Sequence, residues 1–253
     1  MAWSVRIQLC GSLAIDRDGV RVEGGLPGRQ GARLLGFLAA NLDRWVTRDE
    51  LIDAVWGEHS PPDAAGALAA LLSKVRRVVG PERIEGRSPL RFMGSDDTLV
   101  DMHYAFDALH RAESLLAAKQ WREAFQPAHT AHLIGSRTFL LGHEAPWIDA
   151  WRPRMAEVGV RGLECHVRAL LGAPSGSRSS DTERTARSLI KAAPFRESGY
   201  RLLMEALERT GNRAEALRVY EDLRRLLDEE LGTTPDPLTA AMHERLLRLD
   251  ASP

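Results

Sequence analysis

The sequence predicts a mixed fold: a small α+β domain of winged-helix type followed by an all-α domain of helical hairpins. Two observations carry this prediction. Strand-like alternation, three short helical patterns and a second strand pair succeed one another over residues 1–98. From residue 99 to 253 only Ala-rich amphipathic helical segments separated by short turns remain.

The elements follow in order. Val5 to Ile15 (VRIQLCGSLAI) alternates apolar and polar residues, and the turn signal Asp16-Arg17-Asp18-Gly19 leads into VRVEG, so a hairpin or small sheet is expected. Arg29 to Asn41 places Leu34, Leu35 and Leu38, continued by Leu42, on one helical stripe. Thr47-Arg48-Asp49-Glu50 has the form of a capping box, Thr at the N-cap and Glu three residues on, and opens a second helix that ends at Trp56-Gly57. Pro61-Pro62-Asp63 starts a third helix, which Gly80-Pro81 stops. Short strands at Arg83-Ile84-Glu85 and Leu90 to Met93 flank a turn, which places a wing near Gly86 to Pro89. Further helices are expected at Tyr104 to Ala118, Trp121 to Ile134, Ala145 to Leu171, Thr182 to Ala193, Glu197 to Arg209, Arg213 to Leu231 and Pro237 to Leu249, with Ala173 to Asp181 a Gly/Ser-rich surface link.

The helical region contains an internal repeat. Leu116 to Ala128 lines up with Glu208 to Tyr220, each a helix end, a polar turn and a new helix carrying a small residue, Ala124 or Ala216. This is similar to tetratricopeptide helix pairs, in which a small Ala lets two helices approach and an aromatic residue, here Tyr220, fills the next gap.

Composition narrows the function. The 253 residues carry 34 Lys and Arg against 35 Asp and Glu, so any cationic surface must be local. Cys10 and Cys165 lie far apart and read as free thiols of a reducing compartment. The N-terminus has no charged region followed by an apolar run and no segment is long enough to span a membrane, so a soluble, cytoplasmic protein without membrane association is expected. His129 and His132 lack carboxylate or thiolate companions at ligand spacing. Gly-rich phosphate loops and GxSxG elbows are missing, and DLRRLLDEE reads as a solvated helix face. The reading is non-enzymatic, with no metal and no cofactor.

The third helix carries the functional signal. Ala64, Leu68, Leu72, Val75 and Val79 share its core side. The opposite side holds Gly66, Ala70, Ser73 and Arg77, flanked by Ala69 and Lys74: small in its first half, polar and cationic in its second. Arg48 at the start of the preceding helix, Arg76, Arg87 at the wing tip and Arg91 on its second strand converge with Ser73, Lys74 and Arg77 on the side where duplex DNA would lie. The same Ala-rich half also suits a helix covered by protein, and both readings stand on this helix alone.

The chain resembles the Streptomyces antibiotic regulatory protein family. The resemblance spans about Val5 to Leu249 and is strongest in PFRESGYRLLMEALERTGNRAEALRVYEDLRRLLDEELGTTPDPLTAAMHERLL, where a P-x-R-E turn, Leu203-Met204, Gly211-Asn212, A-E-A-L-x-V-Y and E-E-L-G-T-x-P occur in family order. VTRDELIDAVWGEHSPP and SKVRRVVG match the second helix, the following loop and the end of the recognition helix.

The resemblance implies a response-regulator-type winged helix, residues 1–98, followed by a bacterial transcriptional activator domain, residues 99–253. It implies an activator that binds repeated promoter sites on double-stranded DNA and contacts RNA polymerase through the loop Gly57, Glu58, His59 and Ser60, continuing to Pro62, with a homodimer or tandem assembly on DNA. Two departures accompany it. Ala65, Gly66, Ala67, Ala69 and Ala70 stand where relatives carry base-reading side chains, and Pro89-Leu90-Arg91-Phe92 replaces the usual Gly-Tyr pair of the wing. Alanine methyls make no bidentate base contacts, so phosphate and shape readout should dominate. The alternative is a protein-interaction module whose degenerate winged helix no longer reads sequence.

Overall fold

The computed structural model describes residues 4–173 and 179–248. A small α+β region is followed by a helical one, as the periodicities predict. The chain divides into two compact units, Met1–Asp107 with Leu133–Gly159, and Ala108–His132 with Val160–Pro253.

In the first unit, β1 (Val5–Gln8), β2 (Ala14–Arg17) and β3 (Val20–Arg21) form antiparallel pairs, and β1 also pairs in parallel with β6 (Thr98–Val100), giving the sheet order β3-β2-β1-β6. The run from Val5 to Ile15 is therefore not one strand. It breaks at Gly11, whose φ of 101° suits glycine, and residues 9–11 pair with 138–141 instead. The Gly11 amide donates to Thr138 O at 2.8 Å and the Leu140 amide to Leu9 O at 2.7 Å. The Leu9 and Cys10 amides donate to the buried carboxylate of Asp101 at 2.7 and 3.0 Å.

Helices α1 (Gly28–Ala40), α2 (Arg48–Trp56) and α3 (Ala64–Val79) pack on one another, followed by β4 (Ile84–Gly86) and β5 (Leu90–Phe92), which pair antiparallel. Leu34, Leu35 and Leu38 are fully buried, whereas Leu42 lies beyond the end of α1 and is half-exposed. The capping box is present in full: the Glu50 amide donates to Thr47 Oγ1 at 3.2 Å and the Thr47 amide to Glu50 Oε2 at 2.8 Å. The Thr47 amide first, then Arg44, holds the Glu50 carboxyl below the usual glutamate range. Its contribution is present above the unfolded pKa and lost as pH falls through the lower folded value. Thr47→Ala should destabilise the chain by about 1 kcal/mol. In thermal melts taken from roughly pH 5 to pH 3, the wild type should lose a stability increment that Glu50→Gln does not.

The segment 133–159 completes this unit. The Trp147 indole N–H donates to Ala54 O at 3.0 Å, Trp147 meets the edges of Phe37 and Phe139, and His103 Nε2 lies 2.9 Å from Ala39 O. Gly135 and Gly159 let two backbones touch: a Cβ on Gly135 would lie 2.4 Å from the Gly159 nitrogen. The compact unit built on the winged helix therefore reaches beyond residue 98.

The remaining helices are α4 (Asp101–Ala117), α5 (Trp121–Gly135), α6 (Pro146–Gly172), α7 (Ser179–Ala192), α8 (Glu197–Arg209), α9 (Arg213–Leu231) and α10 (Pro237–Arg248). The second unit is built around a core that includes Leu163, Val167, Leu189, Leu203, Leu207, Leu223 and Leu246. Ala124 and Ala216 are both fully buried, and Tyr220 stacks on His243 at 3.9 Å with nearly parallel rings. Most of the expected link at Ala173 to Asp181 lies outside the described residues. Among the described residues no helix is long and apolar enough to cross a membrane. Cys10 and Cys165 are buried free thiols, and burial pushes Cys165 up to about 11.

The family-signature residues close the last hairpin. The Asp236 amide donates to both Glu197 carboxylate oxygens at 3.0 Å, Arg201 bridges Asp236 Oδ2 and Thr239 Oγ1 at 2.7 Å each, and Asp236 caps the Thr239 amide at 2.8 Å.

Candidate nucleic-acid interface

Helix α3 starts from Asp63, whose Oδ1 accepts from the Gly66 amide at 2.9 Å. Gly66 makes room for this cap, since a Cβ there would lie 2.2 Å from the other Asp63 oxygen. One of the missing side chains thus has a local reason. Leu68, Leu71, Leu72, Val75, Val78 and Val79 are buried, each such residue contributing roughly 1.5–3 kcal/mol by leaving water. The outward face is as the 3.6-residue period places it: Ala65, Gly66, Ala69, Ala70, Ser73, Lys74 and Arg77 are all exposed.

Among the described residues the Lys74 and Arg77 side chains make no hydrogen bond or ion pair, so both charges are available to a ligand. The last turn of α3 also places Arg77 at the negative end of its dipole.

The wing is fixed on several sides. Its base is a buried polar network in which Arg83, 9% exposed, forms a bidentate pair with Asp97 at 2.7 Å for each bond. The same guanidinium donates to Ser4 Oγ at 2.7 Å, to Thr98 Oγ1 at 2.6 Å and to Ser95 Oγ. Arg83, followed by Ser4, holds the Asp97 carboxyl far below the usual carboxylate range. No local sequence pattern marks this network. Arg83, expected in a strand, sits in a 3-10 turn at residues 81–83, and Ile84 opens β4.

The Val46 and Leu90 backbones exchange hydrogen bonds of 2.7 and 2.8 Å, adding a third chain segment beside β5. On the outer face of this small sheet, Arg91 pairs with Glu85 at 2.7 Å and lies 4.6 Å over the Trp45 ring. Trp45, 45% exposed, also packs near Gly86.

The expected DNA-binding residues fall into two groups. Ser73, Lys74, Arg77 and Arg87 are exposed. Arg48, Arg76 and Arg91 are half-exposed and already engaged: Arg48 Nε donates to Arg87 O at 3.0 Å, Arg76 to carbonyls of the wing, and Arg91 to Glu85. Arg48 thus brings the first turn of α2 against the wing tip.

In the loop after α2, Gly57 has a φ of 55° and begins a 3-10 turn through His59. Glu58, His59 and Ser60 project into solvent.

A model of the family "Bacterial transcriptional activator domain" matches residues 100–247, and one described as "Transcriptional regulatory protein, C terminal" matches residues 28–89. The Regulatory protein AfsR of Streptomyces coelicolor is 32% identical over 98% of this chain, and the AfsR of Streptomyces griseus 31% over the same share. The chain spans about a quarter of the length of either relative. Transcriptional regulator RedD of Streptomyces coelicolor is 29% identical over 97% of the chain and 71% of its own length.

A solved structure of Mycobacterium tuberculosis EmbR in complex with a low-affinity phosphopeptide superposes with a TM-score of 0.87 over 97% of this chain and 65% of that one. At 21% identity this likeness supports the fold. The activator-domain model covers more than half of the chain, behind a matching winged helix. The chain therefore belongs to the bacterial transcriptional activator domain family, in the domain order of the Streptomyces antibiotic regulatory proteins.

Proposed function

We propose that the chain is a DNA-binding transcriptional activator without enzymatic activity. Its first 98 residues would bind the duplex, and residues 99–253 would serve as the activator domain. The observation that carries this reading is the exposed cationic end of α3, Lys74 and Arg77 with Ser73, beside a wing that presents Arg87. Each of these cations can neutralise a phosphate and release a condensed counterion. Arg48 and Arg91 would join at the edges of the contact if phosphate displaces their present partners. The bare face of Ala65, Gly66, Ala69 and Ala70 brings the helix close to the groove floor without bidentate donors, so shape and phosphate spacing supply the selectivity.

The exposed loop Gly57, Glu58, His59 and Ser60 would meet RNA polymerase, and two copies would bind repeated sites as a dimer or in tandem. These assignments rest on the family resemblance and on the projection of the loop into solvent.

A gel-shift titration of promoter duplexes across salt concentrations tests the reading. Binding should weaken linearly in log–log coordinates, with a slope reflecting about three to five neutralised phosphates. The second reading, a protein-interaction module, is favoured by the same exposed Ala and Gly residues. It would be supported by no shift on any duplex at low salt.

A further inference from the structure

We propose that Arg76 is a positioning residue that locks the wing to the recognition helix, and that it acts on DNA only through the wing. This rests on the DNA-binding reading above. In the β4–β5 pair, Ile84 faces Phe92 and Gly86 faces Leu90. The Arg83 carbonyl accepts from the Met93 amide at 2.8 Å, so carbonyls on that side of the strand point into the ladder. With the two-residue alternation of a strand, the Ile84 and Gly86 carbonyls point the other way, out of the sheet edge.

That edge is where Arg76 sits. Its Nη2 donates to Ile84 O at 3.2 Å and to Gly86 O at 2.7 Å, and its Nε donates to Ile84 O at 3.3 Å. One guanidinium thus stands in for a missing neighbour strand, spanning carbonyls i and i+2. Arg77, the next residue on α3, is exposed. The offset between the free cations of the helix and Arg87 is then set by the fork at Arg76, with Arg48 holding the Arg87 carbonyl from α2. A lysine would keep the charge and lose the planar two-carbonyl fork.

The experiment compares wild type, Arg76→Lys, Arg76→Ala, Arg87→Ala and the Arg76→Ala/Arg87→Ala double variant. Amide hydrogen exchange is measured on the free chain, and gel shifts are run on a 30-base-pair duplex of mixed sequence. In both Arg76 variants the Arg91 and Met93 amides, which face β4, should exchange faster, while the α1 and α3 amides keep their protection.

Duplex affinity should fall by a similar factor, on the order of 10-fold, in Arg76→Lys and Arg76→Ala. Arg87→Ala should cost less in the Arg76→Ala background than in the wild type. The proposal is overturned if wing exchange is unchanged, if Arg76→Lys binds like wild type, or if the Arg76 and Arg87 effects simply add. A wild type that binds no duplex would refute the DNA-binding reading, and the exchange data would then decide the clamp by themselves.

Discussion

Exchanging Phe92 for Ala should destabilise the first compact unit by about 3–5 kcal/mol, the largest single-residue effect expected in the winged helix. Phe92 is completely buried in β5, directly opposite Ile84, itself 3% exposed. Truncation removes the ring's transfer free energy and leaves a cavity. The flanking backbone resists collapse, because the Phe92 carbonyl accepts from the Asp43 amide at 2.9 Å and the adjacent Met93 amide is bonded to Arg83. Urea unfolding followed by circular dichroism would measure the loss. The smaller truncation Phe92→Leu should recover most of it, and equal losses for the two variants would show that volume is not what matters at this position.

The second large effect concerns binding. Lys74→Ala with Arg77→Ala should weaken duplex binding by about 10- to 100-fold and lower the salt slope by roughly 2, the signature of two lost phosphate contacts. All duplexes should suffer alike, because phosphates carry no base identity. Both side chains are exposed, so the fold should melt as before. Loss confined to one sequence would reassign these side chains to base edges.

The winged helix is legible where its signals are local. The Thr47–Glu50 box, the Asp63 cap and the outward face of α3 follow from four-residue spacings, and Glu197–Arg209 and Arg213–Leu231 appear with the boundaries that their polar turns mark. Pairings distant in sequence leave no such mark. β6 joins β1 from more than ninety residues away, and Phe139 pairs with Cys10 from farther still. Neither partner carries a periodicity pointing to the other.

At the candidate interface, charge alone gathers Arg48, Lys74, Arg76, Arg77, Arg87 and Arg91 into one group. Lys74 and Arg77 differ from Arg76 only in direction on the helix, and the carbonyl edge that captures Arg76 exists only after β4 and β5 have paired. Likewise Glu85 is legible as a strand residue, while its pairing with Arg91 depends on the register of that hairpin.

The Glu197–Arg201–Asp236 clasp bears on how such regulators diversify. Glu197, Arg201 and Asp236 fasten one helical hairpin to the next, and none of the three belongs to α3. The outward face of that helix, from Ala65 to Arg77, contributes to the hydrophobic core only through its opposite side. On the DNA-binding reading proposed above, a lineage would redraw its promoter preference by exposed substitutions there while the scaffold stays under its own separate selection. On that reading, ancestry and operator choice would be inherited through different elements of the chain.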